Sequence, residues 1–263
     1  MPIVQNIMVE DADLPTTLPC IIDGLGQPSG YSPVFSPPDI AGLRLWLRAD
    51  MGITLATGVS QWNDQSGTGD PNKNATQASG GAQPTLNTAD AAYNNQPTLT
   101  FTGASSQYMQ TGTWIAPPAT PCTWIVVGNY SGGGSGGPSF IDALTVTNAR
   151  IYTNNVGTTI NIASGSSLTG NATVTNQSII AGVFNGNTAS AIYVNNTQLA
   201  VVVGAAGNLS TPTGLTIGAR EDVTNFFYGK IAEVIGYTGV LTQPQLALVF
   251  TYLGNRYAIP VVV

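Results

Sequence analysis

An all-β sandwich with one short C-terminal helix and an extended N-terminal arm is the architecture these 263 residues predict. Short apolar runs, alternating or continuous, recur from Ile40 onward with Gly, Asn, Ser and Pro turns between them, the pattern of packed antiparallel sheets. Charged residues make up only 8%, so Thr, Ser, Asn, Gln and Gly carry the polarity, which suits pleated strands and tight turns. Only one stretch, near the C-terminus, has helical periodicity.

Residues 1–38 hold Pro2, Pro15, Pro19, Pro28, Pro33, Pro37 and Pro38, which exclude a long helix. Apolar patches sit between them at Ile3-Val4, Ile7-Met8-Val9, Cys20-Ile21-Ile22 and Val34-Phe35. A flexible linker would be Gly/Ser-rich or charged and would lack such patches. Residues 1–38 therefore read as an extended docking arm, and 39–263 as the folded domain. Fully stretched, the arm reaches ~120 Å.

In the domain, Leu43, Leu45 and Leu47 alternate with Arg44, Trp46 and Arg48, which predicts a strand at 43–48. Further strands are predicted near 97–102, 107–111, 122–129, 138–143, 149–153, 157–162, 178–185, 189–195, 197–203, 214–218 and 226–237. SGGGSGG at 131–137 reads as a loop between two of them. Asn185-Gly186-Asn187 and Asn195-Asn196 are placed as hairpin turns, and AIYVNNTQLAVVV at 191–203 reads as the clearest hairpin. A helix is predicted over about 243–256, with Thr242 as N-cap and Pro244 in the first turn. Leu246, Val249, Phe250 and Leu253 fall on one face of it, so it should cover an end or edge of the sandwich. Ala258–Val263 should then return as a strand or dock on the sheet, since a bare Pro-Val-Val-Val terminus would invite edge pairing.

Several function classes drop out on composition. Seven basic against thirteen acidic residues give a net charge of −6 with no basic patch, which argues against nucleic acid and anionic lipid alike. No charged segment followed by an apolar run opens the chain, so no secretion signal is expected, and no apolar run approaches the ~20 residues of a membrane span. There is no histidine, which removes the commonest general base and the commonest zinc ligand. Cys20 and Cys122 lack C-x-x-C spacing and read as two buried thiols rather than a disulfide. Gly24-Leu25-Gly26 and SGGGSGG lack the surroundings of a dinucleotide or phosphate loop.

Three segments carry a resemblance: LRLWLRADMGIT from Leu43, with Leu43 preceded by Gly42; WNDQSG at 62–67; and QPTLTFTG at 96–103. The second half adds LTIGAREDVTNFFYGKIAEVIGYTGVLT at 215–242 and YLGNRY at 252–257. In order and spacing, over roughly residues 39–260, they resemble a concanavalin A-like jelly roll of the laminin-G-like type. The likeness extends to single-domain versions found in bacteriophage structural proteins. It implies fold more firmly than activity, because one fold hosts many functions.

Enzymes on this jelly roll use paired carboxylates, commonly E-x-D-x-x-E along one strand face. Glu10, Glu221 and Glu233 are the only glutamates and none sits in that pattern. Glu221-Asp222 reads as a solvated turn and Glu233 as structural, so no catalytic residue is expected and the protein is read as no enzyme. Ca²⁺ is the one cofactor the resemblance leaves open, at a loop where Asp64, Gln65, Asp70, Asn72 and Asn74 crowd together. The competing reading has Asp64 and Asn63 bonding nearby backbone, and Lys73 in the same loop opposes a cation. For a glycan, an exposed aromatic is needed. Trp46 and Trp124 read as core or sheet-face residues and Trp62 as packed behind its turn, which leaves Trp114 and Tyr130 as the ligand-binding candidates.

These readings combine into a non-enzymatic virion structural protein: a head decoration, neck, tail or fibre component on the virion surface. It would dock on other virion proteins through residues 1–38, display its jelly roll for host-glycan adhesion, and assemble as a homo-oligomer. The alternatives are a soluble carbohydrate-binding module or lectin and, more remotely, a glycan-active hydrolase.

Overall fold

The computed structural model describes residues 35–118, 121–146, 148–207 and 212–262. All but the last four residues of the arm expected at 1–38, Cys20 among them, lie outside the described residues. Ser36–Val263 form one unit. Its strands begin with β1 (Leu43–Arg48), β2 (Ile53–Leu55), β3 (Val59–Trp62), β4 (Ala75–Thr76), β5 (Thr85–Asp90), β6 (Gln96–Phe101) and β7 (Met109–Gln110). Next come β8 (Cys122–Tyr130), β9 (Ser139–Ala143), β10 (Arg150–Thr153), β11 (Thr159–Ser164), β12 (Ser166–Asn171) and β13 (Ser178–Phe184). A one-turn α1 (Gly186–Ala189) leads to β14 (Ala191–Val194), β15 (Thr197–Gln198), β16 (Val201–Gly204), β17 (Leu215–Ile217) and β18 (Gly229–Thr238), and α2 (Gln243–Tyr257) closes the domain.

Two antiparallel sheets result. The eight-stranded sheet runs β15-β14-β13-β8-β18-β6-β5, with β1 pairing the second half of β18 beside β6. The ten-stranded sheet runs β16-β12-β11-β10-β9-β17-β7-β4-β3-β2. Between them lies one apolar core, to which the ten-stranded sheet contributes a row in register: Met109, Ile217, Ile141, Ile151, Ile162 and Leu168. Alternation turns every second residue of those strands outward.

The central strands of the eight-stranded sheet are buried on both faces, which is why β8, β13 and β18 read as nearly continuous apolar runs. Leu246, Val249, Phe250, Leu253 and Tyr257 of α2 are buried. The helix starts where expected: Gln245 Oε1 accepts both the Thr242 N–H (2.9 Å) and the Thr242 hydroxyl (3.0 Å). At its far end Glu233 of β18 is fully buried and accepts from Trp46 Nε1 (2.6 Å), the Tyr257 hydroxyl (2.8 Å) and the Tyr252 hydroxyl (3.3 Å). Burial raises its carboxyl above the ordinary glutamate value, against the pull of those donors and Arg256. Glu233 thus ties α2 and β1 to β18, the structural role expected of it.

One hairpin expectation is corrected. The 191–203 hairpin is cut short: β14 turns at Asn195-Asn196, both at positive φ, and pairs with β15. Leu199 then folds against Gly170, and the chain crosses to the other sheet, where β16 pairs with β12. The Asn185-Gly186-Asn187 turn does join a hairpin, linking the paired strands β13 and β14 through the one-turn α1. The C-terminal segment takes the docking option: Val262 donates its N–H to the Asn195 carbonyl (3.1 Å) and accepts from Asn196 Nδ2 (2.6 Å). Among the described residues no helix is long and apolar enough to cross a membrane.

Candidate functional site

The outer face of the ten-stranded sheet carries a cross-strand ladder in register, Gln61, Thr76, Gln110, Thr216 and Asp142. Their strand neighbours Trp62, Ala75, Met109, Ile217 and Ile141 point into the core, so alternation places this row outside. Gln110 Nε2 donates to Thr216 Oγ1 (3.0 Å), and Gln110 and Gln61 are half-exposed beside the exposed Thr76. Farther along the same face, Tyr152 lies opposite Asn161, and Asn161 opposite Thr169. Asn161 Oδ1 accepts from Thr169 Oγ1 (2.6 Å), and the Tyr152 hydroxyl meets Ser167 Oγ (2.8 Å). The result is a run of amide and hydroxyl groups, each able to donate and accept.

Two half-exposed aromatic stations stand on this face. Tyr108, two residues before Gln110, packs 6.3 Å from Phe226, centroid to centroid. Tyr152 is covered on one side by the Arg150 guanidinium, 4.0 Å from its ring centre. The two columns lie three strand spacings apart, about 14 Å.

Between them sits an acid pair that leaves no pattern in the sequence. Asp142 is fully buried; its Oδ1 accepts the Ala143 N–H (2.8 Å) and its Oδ2 the Glu221 N–H (3.3 Å). Glu221 holds Arg220 through two hydrogen bonds of 2.9 and 3.0 Å, and its side chain is 12% exposed. The 220–224 turn that carries it is closed by Val223 N–H to the Arg220 carbonyl and Arg220 N–H to the Thr224 carbonyl, both 2.9 Å. Val223 takes a φ of +57°, a strained value for a β-branched residue. Burial, then Glu221 beside it, pushes the Asp142 carboxyl up to about 9, although Arg150 (3.7 Å) opposes the rise. Asp142 is therefore protonated at neutral pH. With no exposed surface it cannot meet a substrate. Of the expected solvated pair, Asp222 is exposed, whereas Glu221 turns inward onto this cluster.

The two aromatics expected to bind a ligand fall elsewhere. Trp114 is 3% exposed and stacks on Trp124 (5.9 Å), and Tyr130 is fully buried. The Tyr130 hydroxyl accepts the Gly134 N–H (2.8 Å) and donates to the Asn155 carbonyl (3.3 Å), anchoring the Gly-rich loop from beneath. The exposure expected of both is thus corrected: each ring is spent on packing. Trp46, Trp62 and Trp124 are buried as expected, Trp62 with its Nε1 donating to the Arg48 carbonyl (2.7 Å).

The Asp64 loop supplies its own cation. Asp64 accepts from Trp46 N–H (2.8 Å), Ser66 N–H (3.0 Å) and Ser66 Oγ (2.5 Å). Asp70 accepts from Asn72 N–H (3.0 Å) and Ile115 N–H (2.8 Å). Lys73, 1% exposed, lies between them with Nζ on Thr68 Oγ1 (2.8 Å). Its ammonium is held below the ordinary lysine value by burial, with Asp64 and Asp70 pulling the other way. These carboxylates already serve protein donors, and among the described residues no group of three or more acidic, Cys or His side chains is placed to hold a metal.

A family profile described as the concanavalin A-like lectin/glucanases superfamily matches residues 111–247, just over half of the chain. No curated protein matches in sequence. Solved structures do match in fold. The binding domain of botulinum neurotoxin DC in complex with SialylT aligns at TM-score 0.55 and 13% identity, covering 82% of this chain and 52% of that one. Botulinum neurotoxin type C, whose cell entry is described as dependent upon interaction with two ganglioside molecules, aligns at 0.53 and 16%, covering 82% and 52%. Domain 4 of AbnA, a GH43 extracellular arabinanase from Geobacillus stearothermophilus, in complex with arabinotriose, aligns at 0.51 and 12%, covering 79% and 98%. The chain spans about half the length of the toxin chains it matches.

Proposed function

The chain belongs to the concanavalin A-like lectin/glucanases superfamily, and from that premise we propose that it is a non-catalytic module that binds sugar chains across the outer face of its ten-stranded sheet. The observation that carries this reading is the accessible ladder Gln61–Thr76–Gln110, its last amide held by the buried Thr216, with the half-exposed Tyr108–Phe226 pair beside it. A sugar ring offers an apolar face to an aromatic and a rim of hydroxyls to amides and hydroxyls, and this face offers both. The buried acids lack the access that glycoside hydrolysis needs: Asp142 and Glu233 are fully buried, and Glu221 is committed to Arg220. The gangliosides and arabinotriose named for the similar structures support oligosaccharides as the expected ligand class.

The test is a glycan array probed with the full-length chain and with Tyr108→Ala and Gln110→Ala. Binding that falls about tenfold or more in both variants, with unchanged melting temperature, supports the reading. No binding by the wild type, or full binding by both variants, overturns it.

A place on a virus particle, docked through residues 1–38, is the second reading. It is favoured by the Pro-punctuated apolar patches of that arm. Mass spectrometry of purified particles checks it: the chain recovered at a fixed copy number supports it, and its absence from particles refutes it.

A further inference from the structure

We infer that two copies of this chain pair edge to edge through β16, extending the ten-stranded sheet across a two-fold axis. Among the described residues β16 is the last strand of that sheet and pairs only with β12. Its three valines stand open on both faces of the strand, with Val201 56%, Val202 52% and Val203 64% exposed. Thr197, Gln198 and Ala200, which lead into it, are exposed too. A free edge of this kind presents unpaired backbone N–H and C=O groups beside apolar side chains. Natural sheets usually blunt it with Lys, Pro or an inward charge. β16 carries no Lys, Pro or charge and is blunted only by its short length and by a register shift at Val202, where Val203 pairs with Thr169 and Val201 with Gly170. No Asp, Glu, Lys or Arg occurs anywhere from Ile151 to Ala219, the stretch that builds β11 to β17.

The same gap in charge identifies the occupant. The chain carries a net −6, so two copies repel wherever their acidic residues approach. The β16 side is where they can meet without that cost. An antiparallel strand pair is also self-complementary under a two-fold axis, which is the commonest symmetry of protein dimers. Placing Val202 on the axis sets it opposite its own copy and sets Val201 opposite Val203 of the partner, so all three valines lose solvent exposure. A strand this short makes a modest interface, and the expected affinity is in the micromolar range. Because that axis stands perpendicular to the sheet, the outer faces of both copies point the same way. If that face binds sugar as proposed above, the dimer presents two sites to one surface and gains avidity.

The experiment is sedimentation velocity on the full-length chain from about 1 µM to about 1 mM, beside Val202→Lys, with hydrogen exchange of residues 201–204 followed across the same series. The wild type should move from 27.1 kDa toward twice that mass. Its 201–204 amides should gain protection as it does so. Val202→Lys places two ammonium groups against each other on the axis and should weaken association by about tenfold or more, with the melting temperature and glycan binding of a single copy unchanged. A wild type that stays monomeric throughout, or a dimer that persists in a folded Val202→Lys chain, overturns the inference. Should that variant fail to fold, the exchange data decide: a dimer whose 201–204 amides stay unprotected refutes pairing through β16.

Discussion

Replacing Asp142 with Asn should flatten the pH dependence of stability between pH 5 and 8. The folded Asp142 holds its proton up to about 9, whereas the same side chain in the unfolded chain ionises near 3.8. The native state therefore binds more protons than the unfolded state throughout that window. Stability contributed by this group is full below the unfolded pKa and is lost as pH rises, with a limiting slope of about 1.4 kcal/mol per pH unit. From pH 5 to pH 8 the loss is on the order of 4 kcal/mol. At roughly 2–4 °C per kcal/mol for a domain of this size, that is about 10 °C in melting temperature. The groups facing Asp142 are Arg150 on β10 and Glu221 and Arg220 on the covering turn. The chain has no histidine to add its own titration there. Asp50 and Asp90 act at another pH: despite burial, Arg48 and Arg256 hold the first below the usual carboxylate value, and Lys230 and Thr98 the second. Their stabilisation is lost only as pH falls below about 4. Glu233, raised by burial, runs in the same direction as Asp142 and leaves a residual slope in the variant. Urea unfolding at pH 5, 6, 7 and 8 reads the effect. The wild type should lose stability with rising pH, and Asp142→Asn should be the more stable protein at pH 8. A wild type that is flat over this range, or an Asn variant with the wild-type slope, refutes the reasoning.

Phe250→Ala should cost about 3–5 kcal/mol by denaturant unfolding, because the ring is fully buried on the inner face of α2. Cys122, fully buried and pushed up to about 12 by burial, should resist alkylation in the native protein and label only at the rate of unfolding, read by peptide mass spectrometry. Lys73→Met should destabilise the chain by about 1–3 kcal/mol, since it leaves Asp64 and Asp70 without their internal cation; added Ca²⁺ that restored the wild-type melting temperature would show the loop to be a cation site after all.

Where packing decides a strand, residue pattern reveals it. β1 is legible residue for residue, and α2 to within one residue, because Leu alternation and a single apolar helical face leave few other solutions. β4, β5 and β12 are not legible, since AT, TLNTAD and SSLTGN carry no apolar alternation and are strands only because neighbours pair with them. The partner of β16 is hidden for a related reason. A run of valines declares a strand but not which sheet it joins, and the fold of Leu199 onto Gly170 decides the crossing. The site is less legible still. Trp114 and Tyr130 border loops in sequence yet pack inward, while Tyr108 and Gln110 gain their place only from the register of β7 with β4 and β17. The Asp142–Glu221 contact joins residues far apart in the chain and leaves no local pattern.

Chemical-shift mapping of the full-length chain, titrated with the strongest glycan from the array, tests the central claim most directly. The account predicts shifts concentrated at Gln61, Thr76, Tyr108, Gln110 and Phe226, reaching Tyr152 for longer sugars. Shifts confined to the Asp64–Asn74 loop, or to the eight-stranded sheet and α2, would contradict it.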